Sequence, residues 1–154
     1  MRRELVAAVK AVIDAALTTS WFTAPKMVVL ANPKEAMEDT MLSFPLILIA
    51  PSQSQTINKI GLDRHEFYID FALCDRGAFS QTDDITYRQL DFVDFMEQTF
   101  PRTTLISFSW TVGETKTTMK LRPNILAETY ENPIMLRDAV DMKVTVPIRF
   151  ELIK

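Results

Sequence analysis

From Val140 to Leu152 the chain alternates without interruption: Val140, Met142, Val144, Val146, Ile148, Phe150 and Leu152 fall on one side, and Asp141, Lys143, Thr145, Pro147, Arg149 and Glu151 on the other. Successive strand side chains point to opposite faces, so a period of two predicts a strand with one buried face. At about 3.3 Å per residue the run reaches roughly 40 Å, beyond the usual strand and long enough to extend past its own domain. A chain that carries it must build a sheet around it. Pro147 has no N–H to give to a ladder, which predicts an edge or a bulge at that point.

Other segments repeat the pattern. His65, Phe67, Ile69, Phe71 and Leu73 alternate with Glu66, Tyr68, Asp70, Ala72 and Cys74, which predicts a core face and a wet face. Pro45 to Ala50 is continuously apolar and is stopped by Pro51, the mark of a strand covered on both faces. Met27 to Leu30 reads as a short strand. Strands are also predicted over Thr104 to Val112, Thr117 to Leu121 and Ile125 to Glu131, with a turn at Gly113-Glu114 and a loop from Asn132-Pro133. Ser52 to Leu62 is polar and contains Gly61, so it reads as an exposed connection.

Helical spacing appears in two long stretches. From about Arg2 to Leu17, Leu5, Val9, Val12, Ile13 and Ala16 share one face. Ser80-Gln81-Thr82-Asp83 matches a capping box and opens a helix to about Phe100, ended by Pro101, with Ile85, Phe92, Val93, Met96 and Phe100 as its core stripe. At 100° per residue Tyr87, Leu90 and Phe95 fall off that stripe and need another partner. A short helix is predicted from Asn32-Pro33 to about Met41. The order of elements gives an α+β domain over residues 1–154: a twisted, mostly antiparallel sheet with helices packed on one face.

Composition limits the chemistry. A chain of 154 residues buries roughly two-thirds of its unfolded surface without a staple. Cys74 is the single cysteine and His65 the single histidine, which excludes an intramolecular disulfide and argues against a zinc or iron–sulfur site. A reducing cytosol fits this usage. Arg2 and Arg3 precede an apolar run in the manner of a secretory signal, but Glu4, Lys10 and Asp14 interrupt it, and no stretch reaches membrane-spanning length. The three glycines, Gly61, Gly77 and Gly113, lie too far apart for a phosphate-binding loop or a dinucleotide fingerprint.

His65 at the start of an apolar-sided strand reads as a hydrogen-bonded structural histidine, and Cys74 as a buried, inert thiol. Asp84, Arg88 and Asp91 lie at i, i+4 and i+7, with Asp94 extending the face. The spacing suits a cation or acid/base pair, but Arg88 between the carboxylates favours a surface ion-pair ladder. The net charge of −3 argues against a DNA-gripping surface, and residues 63–100 hold nine acidic side chains against three basic. That block reads as a solvated face or as a surface that repels passing nucleic acid. Catalytic, cofactor and metal sites are all expected to be absent.

Ser43-Phe44-Pro45 before the apolar strand, the polar connection, and Phe67 to Cys74-Asp75-Arg76-Gly77 leading into the helix at Ser80 resemble the middle of siphophage tail terminator proteins. The similarity in element order covers most of the chain and rests on hydrophobicity and punctuation. It implies a structural virion protein of the tail and neck, assembled in the host cytoplasm. Its homohexameric ring would cap the head-proximal end of the tail tube, end tube polymerisation and join the head connector. The implied partners are further copies of the chain, the tail tube protein and a head–tail connector or stopper protein, with DNA crossing the lumen without specific binding and no membrane. A tube subunit, a stopper or another head–tail adaptor shares the fold and stays open, as do a secretion-apparatus module and a small enzyme using Asp84, Asp91 and Asp94.

On this reading Tyr87, Leu90 and Phe95, with the strand edge at Pro147, are candidates for a subunit interface. Glu66, Asp70, Glu128 and Asp141 are candidates for the wall of the lumen.

Overall fold

The computed structural model describes residues 2–22, 25, 27–30, 44–51 and 66–153. In chain order the elements are α1 (Arg2–Thr19), β1 (Met27–Leu30), β2 (Leu46–Pro51), β3 (Glu66–Gly77) and a 3-10 turn (Phe79–Gln81). Then follow α2 (Thr82–Thr99), β4 (Ile106–Val112), β5 (Thr115–Ile125), β6 (Thr129–Tyr130), β7 (Ile134–Met135) and β8 (Val140–Leu152). The predicted short helix before Met41, the connection from Ser52 to Leu62, and His65 lie outside the described residues.

The fold is α+β, with one curled sheet in the order β1-β2-β3-β8-β5-β4. Among the described residues only β1 and β2 run parallel; the other pairings are antiparallel. The long alternating strand is central, so of the edge or bulge that Pro147 predicts the edge is ruled out, while the pairing opposite Pro147 shifts by one residue between Ile125↔Ile148 and Thr129↔Thr145. β3 pairs along one side of β8 from Glu151 to Val140, and β5, β6 and β7 follow one another along the other side.

Proline fits inside this strand because of where its missing donor points. The carbonyl of Pro147 accepts from the N–H of Leu126 at 2.9 Å, and a strand residue's N–H and C=O point to the same side. The absent N–H therefore faces residues 126–128, where the partner passes from β5 to β6 and no ladder bond is required.

Both helices pack on one face of the sheet. Leu5, Val9 and Ile13 of α1 and Phe92, Val93, Phe95 and Met96 of α2 join Ile47, Ile49, Phe71, Leu73, Val144, Val146, Ile148 and Phe150 in one buried cluster. Their spacing supplies the stripe, and burial of each large side chain stabilises the fold by about 2 kcal/mol relative to exposure. The predicted two-sided burial of β2 holds, since Leu46 and Leu48 on its other face are as buried as Ile47 and Ile49.

The face of β3 expected to be wet is buried at Ala72 and Cys74, which lie beside Leu48 and Leu46. Alternation alone does not reveal this, because Ala and Cys suit either environment, but the burial of Cys74 agrees with its expected role as a buried thiol. Burial pushes the Cys74 thiol up to about 12.

Helix α2 begins two residues later than its capping signal. Ser80 lies in the 3-10 turn, the Gln81 side chain accepts from the N–H of Ala78 at 3.2 Å, and the Thr82 hydroxyl donates to the carbonyl of Phe79 at 2.7 Å. Gly77 makes room for this turn. A Cβ there would lie 2.9 Å from Gln81 Oε1 and 3.0 Å from Ile85 Cδ1.

Candidate subunit interface

Helix α2 is buried over a wider arc than its core stripe predicts. Arg88 and Phe95 lie on one flank of the stripe, and there the helix meets β3 and the end of α1. Phe95 is 1% exposed and stacks on Phe22 with ring centroids 5.0 Å apart. It belongs to the core and cannot anchor a neighbouring subunit. The projection considers only the sheet as a partner, whereas α1 closes the second side; Trp21 ties the two helices by donating to Gln98 Oε1 at 2.8 Å.

On the other flank the apolar groups stay outside. Tyr87 is 64% and Leu90 46% exposed, in keeping with their positions off the stripe. The segment after β5 brings two more apolar groups to this side. Tyr130 pairs with Val144 and Met135 with Val140, so both share the helix-covered face of β8. They are 45% and 64% exposed.

Ile85 packs on Val140 and Met142, while Asp94 and Glu97 act on Tyr130. Leu90 lies between those two levels on the same flank of α2 as Glu97. Leu90, Tyr130 and Met135 therefore line one side of the molecule, with Tyr87 beside them. Burial and the neighbouring carboxylates of Glu128, Asp94 and Glu97 raise the Tyr130 pKa above its ordinary value. The patch is apolar in its middle and acidic at its rim.

Tyr130 and Met135 escape the sequence reading for different reasons: Tyr130 lies in the strand predicted from Ile125 to Glu131, whose residues do not alternate clearly enough to assign a face, and Met135 falls in the loop predicted from Asn132-Pro133. The run Ile134-Met135-Leu136 after Asn132-Pro133 was the available signal, since exposed loops seldom hold three consecutive large apolar residues. All three are exposed.

Pro147 does not belong to this surface. It lies within the interior strand β8, and β3 and the β5–β6 connection occupy its two sides. The open strand edges among the described residues belong to other strands.

The proposed lumen residues divide. Glu66 and Asp70 share the sheet face away from the helices and are half-buried. Asp141 lies on that face but is buried against Arg76, which holds it through two hydrogen bonds, one of 2.8 Å to Oδ2. The bond raises the Arg76 pKa above its ordinary value. Glu128 stands apart, acting on Tyr130 on the helix-covered side.

The far face is also not acidic as a whole. By register it carries Glu66, Asp70, Asp141 and Glu151 against Arg76, Arg122, Lys143 and Arg149. Arg149 meets Glu151 at 2.6 Å, and Lys143 meets Glu131 at 2.8 Å.

Arg88 also leaves its predicted ladder. Its Nε donates to Asp75 Oδ2 at 2.7 Å, while the N–H of Arg76 donates to Asp75 Oδ1 at 2.9 Å. Asp75 is fully buried, so these charge-assisted bonds offset the cost of removing its carboxylate from water. Arg76 also lies over the Phe44 ring, 4.8 Å from its centroid. Asp84, Asp91 and Asp94 are left as exposed carboxylates. Among the described residues no group of three or more His, Cys, Asp or Glu is placed to hold a metal ion.

No protein-family model matches the chain, and the search of curated proteins finds no match.

Proposed function

We propose that the protein is a structural subunit that assembles with copies of itself into a closed ring, in the role of a siphophage tail terminator. The observation that carries this reading is the exposed apolar patch of Tyr87, Leu90, Tyr130 and Met135 along one side of the molecule. Exposed apolar groups that share one side, with a charged rim, are the composition of a protein-binding surface.

A cyclic ring needs a heterologous contact in which this patch meets a different surface of the next subunit and the rotation closes. The order of elements, which resembles that of tail terminators, supplies the biological role. The ring would sit on the end of a tail tube, stop its growth and present a surface to the head connector. DNA would pass through it along a wall of balanced charge, where phosphates find few unpaired cations.

Negative-stain microscopy and native mass measurement of the purified protein test the reading. Closed rings of one mass that bind the ends of tail tubes are expected. Open filaments would assign a tube subunit instead, and a monomer indifferent to tube ends would refute the proposal.

A further inference from the structure

The second half of the interface can be sought among surfaces that the fold leaves without support. β5 meets β8 only from Leu121 to Ile125, opposite Leu152 to Ile148. The Lys120 carbonyl still accepts from the N–H of Ile153 at 3.0 Å, and Trp110 and Met119 pack against the core; beyond Lys120 the remainder of β5, Thr115 to Met119, pairs with β4 alone and extends about 16 Å. Residues from Thr111 to Thr118 are exposed. A two-stranded ribbon is marginal in water by itself, so this projection gains from a surface to lie on.

Its two faces differ. Trp110, Val112, Thr115 and Thr117 occupy one, while Lys116 and Lys120 occupy the other, separated by the hydrogen-bonded pair Ser109–Thr118 at 2.7 Å. The lysines therefore point to one side of the ribbon. The patch described above bears the opposite charge and lies toward the other end of β8, on the other face of the sheet. The two surfaces are unlike and separated, so a subunit cannot satisfy one with the other.

We propose that the β4–β5 ribbon of one copy docks on the patch of the next copy. Lys116 and Lys120 face the rim carboxylates of Asp94, Glu97 and Glu128, and the lysine stems cover Leu90 and Tyr130. The occupant is a second copy because the charges of the two surfaces are complementary. This inference rests on the ring reading and gives its interface.

Charge reversal tests it. Lys116→Glu with Lys120→Glu, and separately Asp94→Lys with Glu97→Lys, are expected to raise the concentration for half-assembly by roughly tenfold each, measured by sedimentation at low salt. The variant carrying all four substitutions is expected to assemble within about threefold of the original chain, because its ribbon and patch attract again. Far-UV circular dichroism and melting curves establish that each variant folds. Assembly unaffected by either reversal, or a fourfold variant no better than the doubles, would overturn the docking while leaving the ring standing. An original chain that stays monomeric would instead remove the ring itself.

Discussion

Phe95 and Leu90 lie five positions apart on one helix and carry opposite consequences. Phe95→Ala empties a filled core site and is expected to lower stability by about 3–5 kcal/mol in chemical denaturation. Leu90→Ala or Tyr87→Ala is expected to stay within about 0.5 kcal/mol, with the effect seen in assembly. A larger loss for Leu90 than for Phe95 would contradict the assignment of the two flanks. Asp75 gives a second test at this scale. Arg88→Ala strands a buried carboxylate and is expected to cost about 3 kcal/mol, whereas Asp75→Asn with Arg88→Gln is expected to cost less than Arg88→Ala alone, a comparison that a double-mutant cycle reads. Cys74 supplies the pH dependence. Its folded pKa is raised, so the folded state keeps a proton that the unfolded state loses above about pH 8.5–9. Its contribution is complete below that pH and is lost as pH rises toward about 12, by roughly 1.4 kcal/mol per pH unit at most. Cys74→Ala is expected to flatten that part of the alkaline stability curve.

Strands with strong alternation were legible at the level of elements, and their partners were not. The residues of β8 announce a half-buried strand, yet its central place depends on β3 on one side and three successive short partners on the other. Pro147 points to an edge or a bulge because the rule counts a missing donor. Only the break between β5 and β6 shows that no acceptor waits for it. Ala72 falls on the face expected to be wet because a small residue is silent about burial, whereas the separate expectation that Cys74 is a buried thiol holds. Part of the exposed apolar patch is legible for the same reason in reverse: large apolar residues off a helical stripe declare themselves, as Tyr87 and Leu90 do. Tyr130 stays hidden because the predicted strand from Ile125 to Glu131 lacks the alternation that would assign its faces, and Met135 because a loop is predicted where β7 pairs with β8. The β4–β5 ribbon turns at Gly113, whose φ of 61 suits the first position of a tight two-residue hairpin. Gly113→Val is expected to strain that turn by about 1–2 kcal/mol. Because the tip touches little of its own sheet, weakened assembly is expected to exceed the loss of subunit stability. Equal melting and assembly losses would count against a role for the ribbon between subunits.

For the whole molecule, the helix-covered side carries an apolar patch with an acidic rim, the far side a balanced set of charges, and one end a basic ribbon. On the proposed ring reading, such a distribution would give a chain of subunits a direction. Salt should weaken the association, since the ribbon and the rim are exposed and their attraction is screened over about 10 Å at 0.1 M ionic strength. The most direct test is the native mass of the purified protein across a dilution series, taken with the original chain and with Leu90→Lys. A single closed oligomer that shifts to monomer in the variant is predicted. A monomer at every concentration, or an oligomer of unchanged mass and dilution behaviour in Leu90→Lys, would contradict the claim that this patch joins one copy to the next.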